Sequence, residues 1–101
     1  MIYCFDIDGT LCVNTEGDYE QATPFPDVVA RINALHAPGH RILLSTARGA
    51  TTGICWRLTT ERQMLQWGVK YHALYFGKPT ADIYIDDKAV NIKDWLEKPR
   101  S

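Results

Sequence analysis

Short apolar runs alternate with longer one-sided stretches along this chain. Tyr3-Cys4-Phe5-Asp6-Ile7 is an apolar run that ends in polar residues and Gly9, which predicts a buried strand feeding a turn. Leu11 to Thr23 is mostly polar, with Gly17 and the acids Glu16, Asp18 and Glu20, and predicts a surface loop or small flap. Pro24 and Pro26 then open a helix, because the first helical turn has no use for the N–H that proline lacks. Phe25, Val28, Val29, Ile32 and Leu35 follow the spacing of a helix with one apolar face, and Pro38-Gly39 ends it. Ile42-Leu43-Leu44 predicts the second buried strand. A second helix starts between Trp56 and Thr60 and ends at Gly68. In it Leu58 and Leu65 share a face, while Glu61, Arg62, Gln63 and Gln66 take solvated positions. Ala73-Leu74-Tyr75 and Ile83-Tyr84-Ile85 predict the third and fourth strands, and Asn91 caps a last helix through Asp94, Trp95 and Leu96.

Apolar strands separated by amphipathic helices imply an α/β fold with a parallel sheet covered on both faces. In such sheets ligands bind beyond the carboxyl ends of the strands. The chemically interesting residues fall there: Asp6, Asp8 and Thr10 after the first strand, Thr46 and Arg48 after the second, Lys78 after the third, Asp86 and Asp87 after the fourth.

A length of 101 residues leaves room for one domain, taken as 1–101, and 46% hydrophobic with 23% charged residues excludes a disordered chain. A net charge of −1 lacks the basic footprint of a general nucleic-acid binder, so nucleic acid is an unlikely partner on this reading. No apolar run approaches the roughly 20 residues of a membrane span. The first acid, Asp6, comes too early for a signal peptide, and three cysteines without C-x-x-C spacing read as reduced thiols, so a cytoplasmic protein is expected.

Four carboxylates at one sheet edge are unfavourable without a cation, and a hard divalent ion such as Mg²⁺ with oxygen ligands removes the repulsion. Lys78 and Arg48 add positive charge suited to a phosphate, Thr10 and Thr46 offer hydroxyls, and Gly9 and Gly49 leave backbone N–H groups for an anion. A carboxylate such as Asp6 can attack phosphorus, and a second acid two residues on can protonate the leaving oxygen and then activate water. Phosphate monoesters demand on the order of 20 kcal/mol of help, which positioning and electrostatics must supply.

Phe5-Asp6-Ile7-Asp8-Gly9-Thr10 resembles the D-x-D-G-T signature of the haloacid dehalogenase (HAD) superfamily. Leu44-Ser45-Thr46, Lys78 and Ile83-Tyr84-Ile85-Asp86-Asp87 resemble its later motifs in order. The resemblance implies a three-layer, Rossmann-like core with sheet order 3-2-1-4. Asp6 would be the nucleophile and Asp8 the general acid/base, which also gives its backbone carbonyl to Mg²⁺. Thr46 would bond the phosphoryl group, and Lys78 would orient Asp6. Asp86 would support the lysine and Asp87 would contact the metal, so the implied metal set is Asp6, Asp8, Asp86 and Asp87. Gly9, Thr10, Ala47 and Arg48 form the implied phosphate-binding set. A receiver domain carries its adjacent acids first and its lysine last, the reverse of the order here.

Thirty-six positions separate Thr10 from Thr46 and thirty-two separate Thr46 from Lys78, too few for a cap domain besides a helix and a strand. An open site suits a large substrate or one completed by a second copy in a homo-oligomer. Thr46 to Gly49 and Gly77 to Ala89 resemble a narrower group of capless members assigned to capsule or polysaccharide biosynthesis. They imply a Mg²⁺-dependent phosphatase acting on a phosphosugar or similar small phosphorylated substrate, with a nucleotide or nucleic-acid-end phosphatase as the alternative and a non-catalytic binding module as the rival class. Arg48 is either a phosphate contact or a salt bridge bracing its loop. His36, His40 and His72 read as surface residues, the tryptophans as packing, Asp82 as a strand-start residue and Cys12 as a bystander.

Overall fold

In a computed structural model, which describes residues 1–88 and 96, four parallel strands form one sheet. They are β1 (Ile2–Asp6), β2 (Arg41–Ser45), β3 (Ala73–Tyr75) and β4 (Ile83–Ile85), in the order β3-β2-β1-β4. This is the α/β fold expected from the sequence pattern and the strand order that the family resemblance implies. The central place of β1 matters most, since it sets the ends of β2 and β4 on either side of Asp6. Register pairs Phe5 with Leu44 and with Ile85, and Leu44 with Leu74.

Side chains alternate across a strand, so Phe5, Ile42, Leu44 and Leu74 share one face. On that face pack α1 (Pro26–His36), through Val29 and Ile32, and α2 (Arg57–Gln66), through Met64. Proline opens α1 as expected, and Gly39, at φ +101, turns the chain out of it. Phe25, by contrast, precedes the helix and is left partly exposed, at 37%. Sheet and described helices make two layers; the helix expected from Asn91 lies outside the described residues. Among the described residues no helix is long and apolar enough to cross a membrane.

The face that α2 presents to the core differs from expectation. Leu58 and Leu65 do share a face, but it points outward, at 83% and 82% exposure. Thr60, Gln63 and Met64 are buried instead, so Gln63 is not a solvated position. The flap is also anchored more deeply than a surface loop: Leu11, Cys12 and Ala22 belong to the core, and Cys12 bridges to both Asp8 and Pro24.

Leu44→Ala is expected to cost about 2–5 kcal/mol, since a fully buried side chain leaves a cavity. Leu65→Ala is expected to change stability by about 0.5 kcal/mol or less. Urea unfolding of the two variants checks the orientation of α2.

Candidate active site

The loops after all four strands meet at one edge of the sheet. There the carboxylate oxygens of Asp6, Asp86 and Asp87 lie within 4.8 Å of one another. Asp6 is half-buried and the other two are exposed. Burial, followed by the charge of Asp86, pushes the Asp6 carboxyl up to about 6, against a hydrogen bond from the Ile7 N–H that pulls it down.

The first and fourth motifs are fastened together directly. Thr10 Oγ1 accepts a hydrogen bond from the Asp87 N–H at 3.0 Å. Gly9 holds φ +89, and a Cβ on it would strike the Asp87 carboxylate, so only glycine lets the two segments approach this closely. The Gly9 N–H is spent on Cys12 O at 2.8 Å, and the Thr10 N–H on Ile7 O at 3.2 Å. These amides therefore shape the turn, and the expectation that Gly9 offers its N–H to an anion is corrected. Thr10 likewise serves as a latch between motifs. Among the described residues the N–H groups of Asp8 and Ala47 have no protein acceptor.

Asp8 does not join the carboxylate cluster. Its two oxygens are clasped by Arg48, with Nε to Oδ2 and Nη2 to Oδ1 both at 2.9 Å. The Arg48 side chain is wholly buried. Its Nη1 donates to Thr60 Oγ1 at 3.1 Å and to Gln63 Oε1 at 2.6 Å, and its guanidinium lies 4.7 Å from the Tyr19 ring centroid. Gln63 then donates to Tyr19 O at 2.6 Å, so one network ties the flap, α2, the second-motif loop and Asp8. Of the two readings of Arg48, the brace is the one found. Its donors are committed and its side chain is sealed from solvent, which corrects its place in the phosphate-binding set.

Thr46 is buried at the end of β2, where its Oγ1 accepts from the Arg48 N–H at 3.1 Å and its hydroxyl proton stays available as a donor. Lys78 reaches the same edge, but its ammonium rests 4.3 Å from the Tyr84 ring centroid. Among the described residues it makes no ion pair, so neither the orientation of Asp6 by Lys78 nor the support of Lys78 by Asp86 is seen in this conformation. A cleft of about 710 Å³ runs along the edge, lined at one end by Asp6, Thr46, Ala47, Lys78 and Asp86.

The remaining candidates have structural roles. Asp82 accepts from the Ile2 N–H at 2.6 Å and starts β4, as expected of a strand-start residue. His72 Nδ1 accepts from the Ile42 N–H at 2.9 Å, and its ring stacks on His36. Cys12 is fully buried, and burial first, then the nearby Asp8 charge, pushes its thiol up to about 12, so it is inert. Trp67 packs against the core, Trp56 meets Tyr19 edge-on, and Trp95 lies outside the described residues. Gln63, Thr60 and Tyr19 were not foreseen as site residues. The signal for two of them was present, since Thr60, Gln63, Met64 and Trp67 follow i, i+3, i+4, i+7.

No family model matches the sequence, and neither does any curated protein. Solved structures do resemble it. A crystal structure of a structural-genomics target from Vibrio cholerae is 27% identical, with a TM-score of 0.67, covering 98% of this chain and 90% of that one. A chain of a Pnkp1/Rnl/Hen1 complex is 18% identical, with a TM-score of 0.61; the match covers 96% of this chain but 34% of the other, and carries the fold alone.

Arg48→Met strands Asp8 without its buried partner and is expected to cost about 3–5 kcal/mol. Gln63→Leu is expected to cost about 1–3 kcal/mol, because it bares Tyr19 O and one Arg48 donor. Urea unfolding measures both, and faster amide exchange in the flap should accompany Gln63→Leu.

The pH dependence follows from Asp6. Below the ordinary value of 3.8 both folded and unfolded chains hold the proton; between 3.8 and about 6 only the folded chain does, so stability falls as pH rises through that window. In metal-free buffer Asp6→Asn should therefore melt above the wild type at pH 7, with the gap closing towards pH 4. Thermal melts across that range test it.

Proposed function

We propose that this chain is a Mg²⁺-dependent phosphomonoester hydrolase of the HAD type, working through an aspartyl-phosphate on Asp6. The observation that carries the reading is the meeting of Asp6, Asp86 and Asp87 beside Thr46 and Lys78 at one cleft, assembled from the ends of separate strands.

The residues present fit the metal. The donors are hard carboxylate oxygens, their mutual repulsion asks for a cation, and their small number suits an ion that retains waters or takes a phosphate oxygen. Asp6, Asp86 and Asp87 would hold it. Bound there, Mg²⁺ supplies charge neutralisation and polarisation of a phosphoryl oxygen.

The chain's own groups do the rest. One Asp6 oxygen attacks phosphorus, the bond to the leaving oxygen breaks, and the phosphoryl group is left on Asp6. The hydroxyl of Thr46 and the amides of Asp8 and Ala47, which have no protein acceptor among the described residues, would serve as donors to phosphoryl oxygens. Lys78 counters their charge once its side chain swings from the Tyr84 ring. Asp8 takes the acid/base role once it gives up one guanidinium contact and takes a proton from solvent: it passes that proton to the leaving oxygen and recovers one from the attacking water. Water attack at phosphorus returns free Asp6 and inorganic phosphate.

Phosphate release from p-nitrophenyl phosphate should require Mg²⁺ and should fall at least about a thousandfold in Asp6→Asn, in line with loss of a covalent nucleophile. Metal-independent turnover, or full activity in the variant, would refute the reading.

A further inference from the structure

We propose that the cleft selects phosphate esters whose leaving group carries a flat apolar ring, in preference to the hydroxyl-rich sugar implied by the sequence resemblance. This rests on the phosphomonoesterase reading and names the substrate class of that same site.

The lining of the cleft combines charged groups with apolar surface. Beyond the acids its wall is built from Ala50, Ile54, Trp56, Phe76 and Tyr84. Ile54 is 55% exposed, Phe76 38% and Tyr84 40%, so apolar surface is displayed to whatever enters. Each ring has a cation beside it in this conformation: Arg57 Cζ sits 4.9 Å from the Phe76 centroid, and Lys78 Nζ 4.3 Å from that of Tyr84. Ala50, Ile54 and Trp56 come from the loop after β2. Gly49, at φ +81, lets the chain fold so closely on Ile54 O that no Cβ would fit, and Gly53 donates to Gly49 O at 2.8 Å. The wall is thus preformed.

Arg57 also lines the cleft, donating to Leu74 O at 3.5 Å and lying 4.0 Å from Glu61, and the other polar groups of the wall are more fully engaged. The Tyr84 hydroxyl already donates to Pro79 O at 2.5 Å and accepts from the Ala81 N–H at 2.9 Å. The Thr46 oxygen is held by the Arg48 amide, and the Arg48 side chain is committed within its buried network. A sugar entering here would lose water from several hydroxyls and find few partners, which costs affinity. A ring loses only poorly bound water and gains stacking, which suits a wall of aromatic and aliphatic side chains.

The test uses binding, so that it does not depend on turnover. With Mg²⁺ present, titration calorimetry on the full-length Asp6→Asn chain compares phenyl phosphate, adenosine 5′-monophosphate and glucose 6-phosphate. The two ring-bearing esters should bind about tenfold or more tightly than the hexose phosphate, the scale of one stacking contact. Tighter binding of the nucleotide than of phenyl phosphate marks a nucleobase as the source of the ring, and equal binding marks a simple aryl group. Phe76→Ala and Ile54→Ser should each shrink the preference, with thermal melts confirming a folded chain. Glucose 6-phosphate binding as tightly as the ring-bearing esters overturns the inference. Failure of wild-type chain to hydrolyse any of the three esters, with the binding preference intact, instead removes the phosphatase reading.

Discussion

A buried guanidinium cannot be left unsatisfied, and much of this molecule is arranged around meeting the needs of Arg48. Its five N–H donors take both oxygens of Asp8, the hydroxyl of Thr60, the amide oxygen of Gln63 and the sulfur of Cys12, while Tyr19 covers its face. To deliver Thr60 and Gln63, α2 must turn its polar stripe inward and leave Leu58 and Leu65 in water. To deliver Tyr19, the flap must fold back over the loop that follows β2. An interior of aliphatic side chains alone would give a simpler helix, but it would not tie the first-motif turn to three other segments.

The carboxylate cluster is the counterpart of this pair. Asp8 has an opposite charge at hand and is stable where it lies, whereas Asp6, Asp86 and Asp87 face one another without one. The two neighbouring halves of one turn therefore hold carboxylates in opposite electrostatic conditions. That division separates a group held in place from a group kept poised, and it comes from which element each side chain faces rather than from residue type.

Much of this was legible in the sequence. The strands at Ala73-Leu74-Tyr75 and Ile83-Tyr84-Ile85 lie where their apolar runs place them, and α1 begins at a proline and ends before a glycine, because those signals are local. The convergence of Asp6 with Asp86 and Asp87 was legible too, since parallel strands bring their carboxyl ends to one edge. The face of α2 was not. Leu58 and Leu65 mark an apolar stripe, and only the distant Arg48 makes the Thr60 and Gln63 stripe the one worth burying, a tertiary demand that overrides local hydrophobicity. The place of Lys78 on the Tyr84 ring was hidden for a similar reason: charge in a sequence points to acids, while an aromatic residue six positions on becomes a neighbour only when the strand is built.

The close approach at Gly9 bears on how this edge tolerates change. Residue 9 contributes no charge, no hydrogen bond from a side chain and no apolar surface, yet it sets the distance between the first turn and the last strand's acids. A single methyl group there would push one carboxylate out of the trio while leaving the protein's formal charge untouched. A position that carries no functional group at all thus constrains this edge.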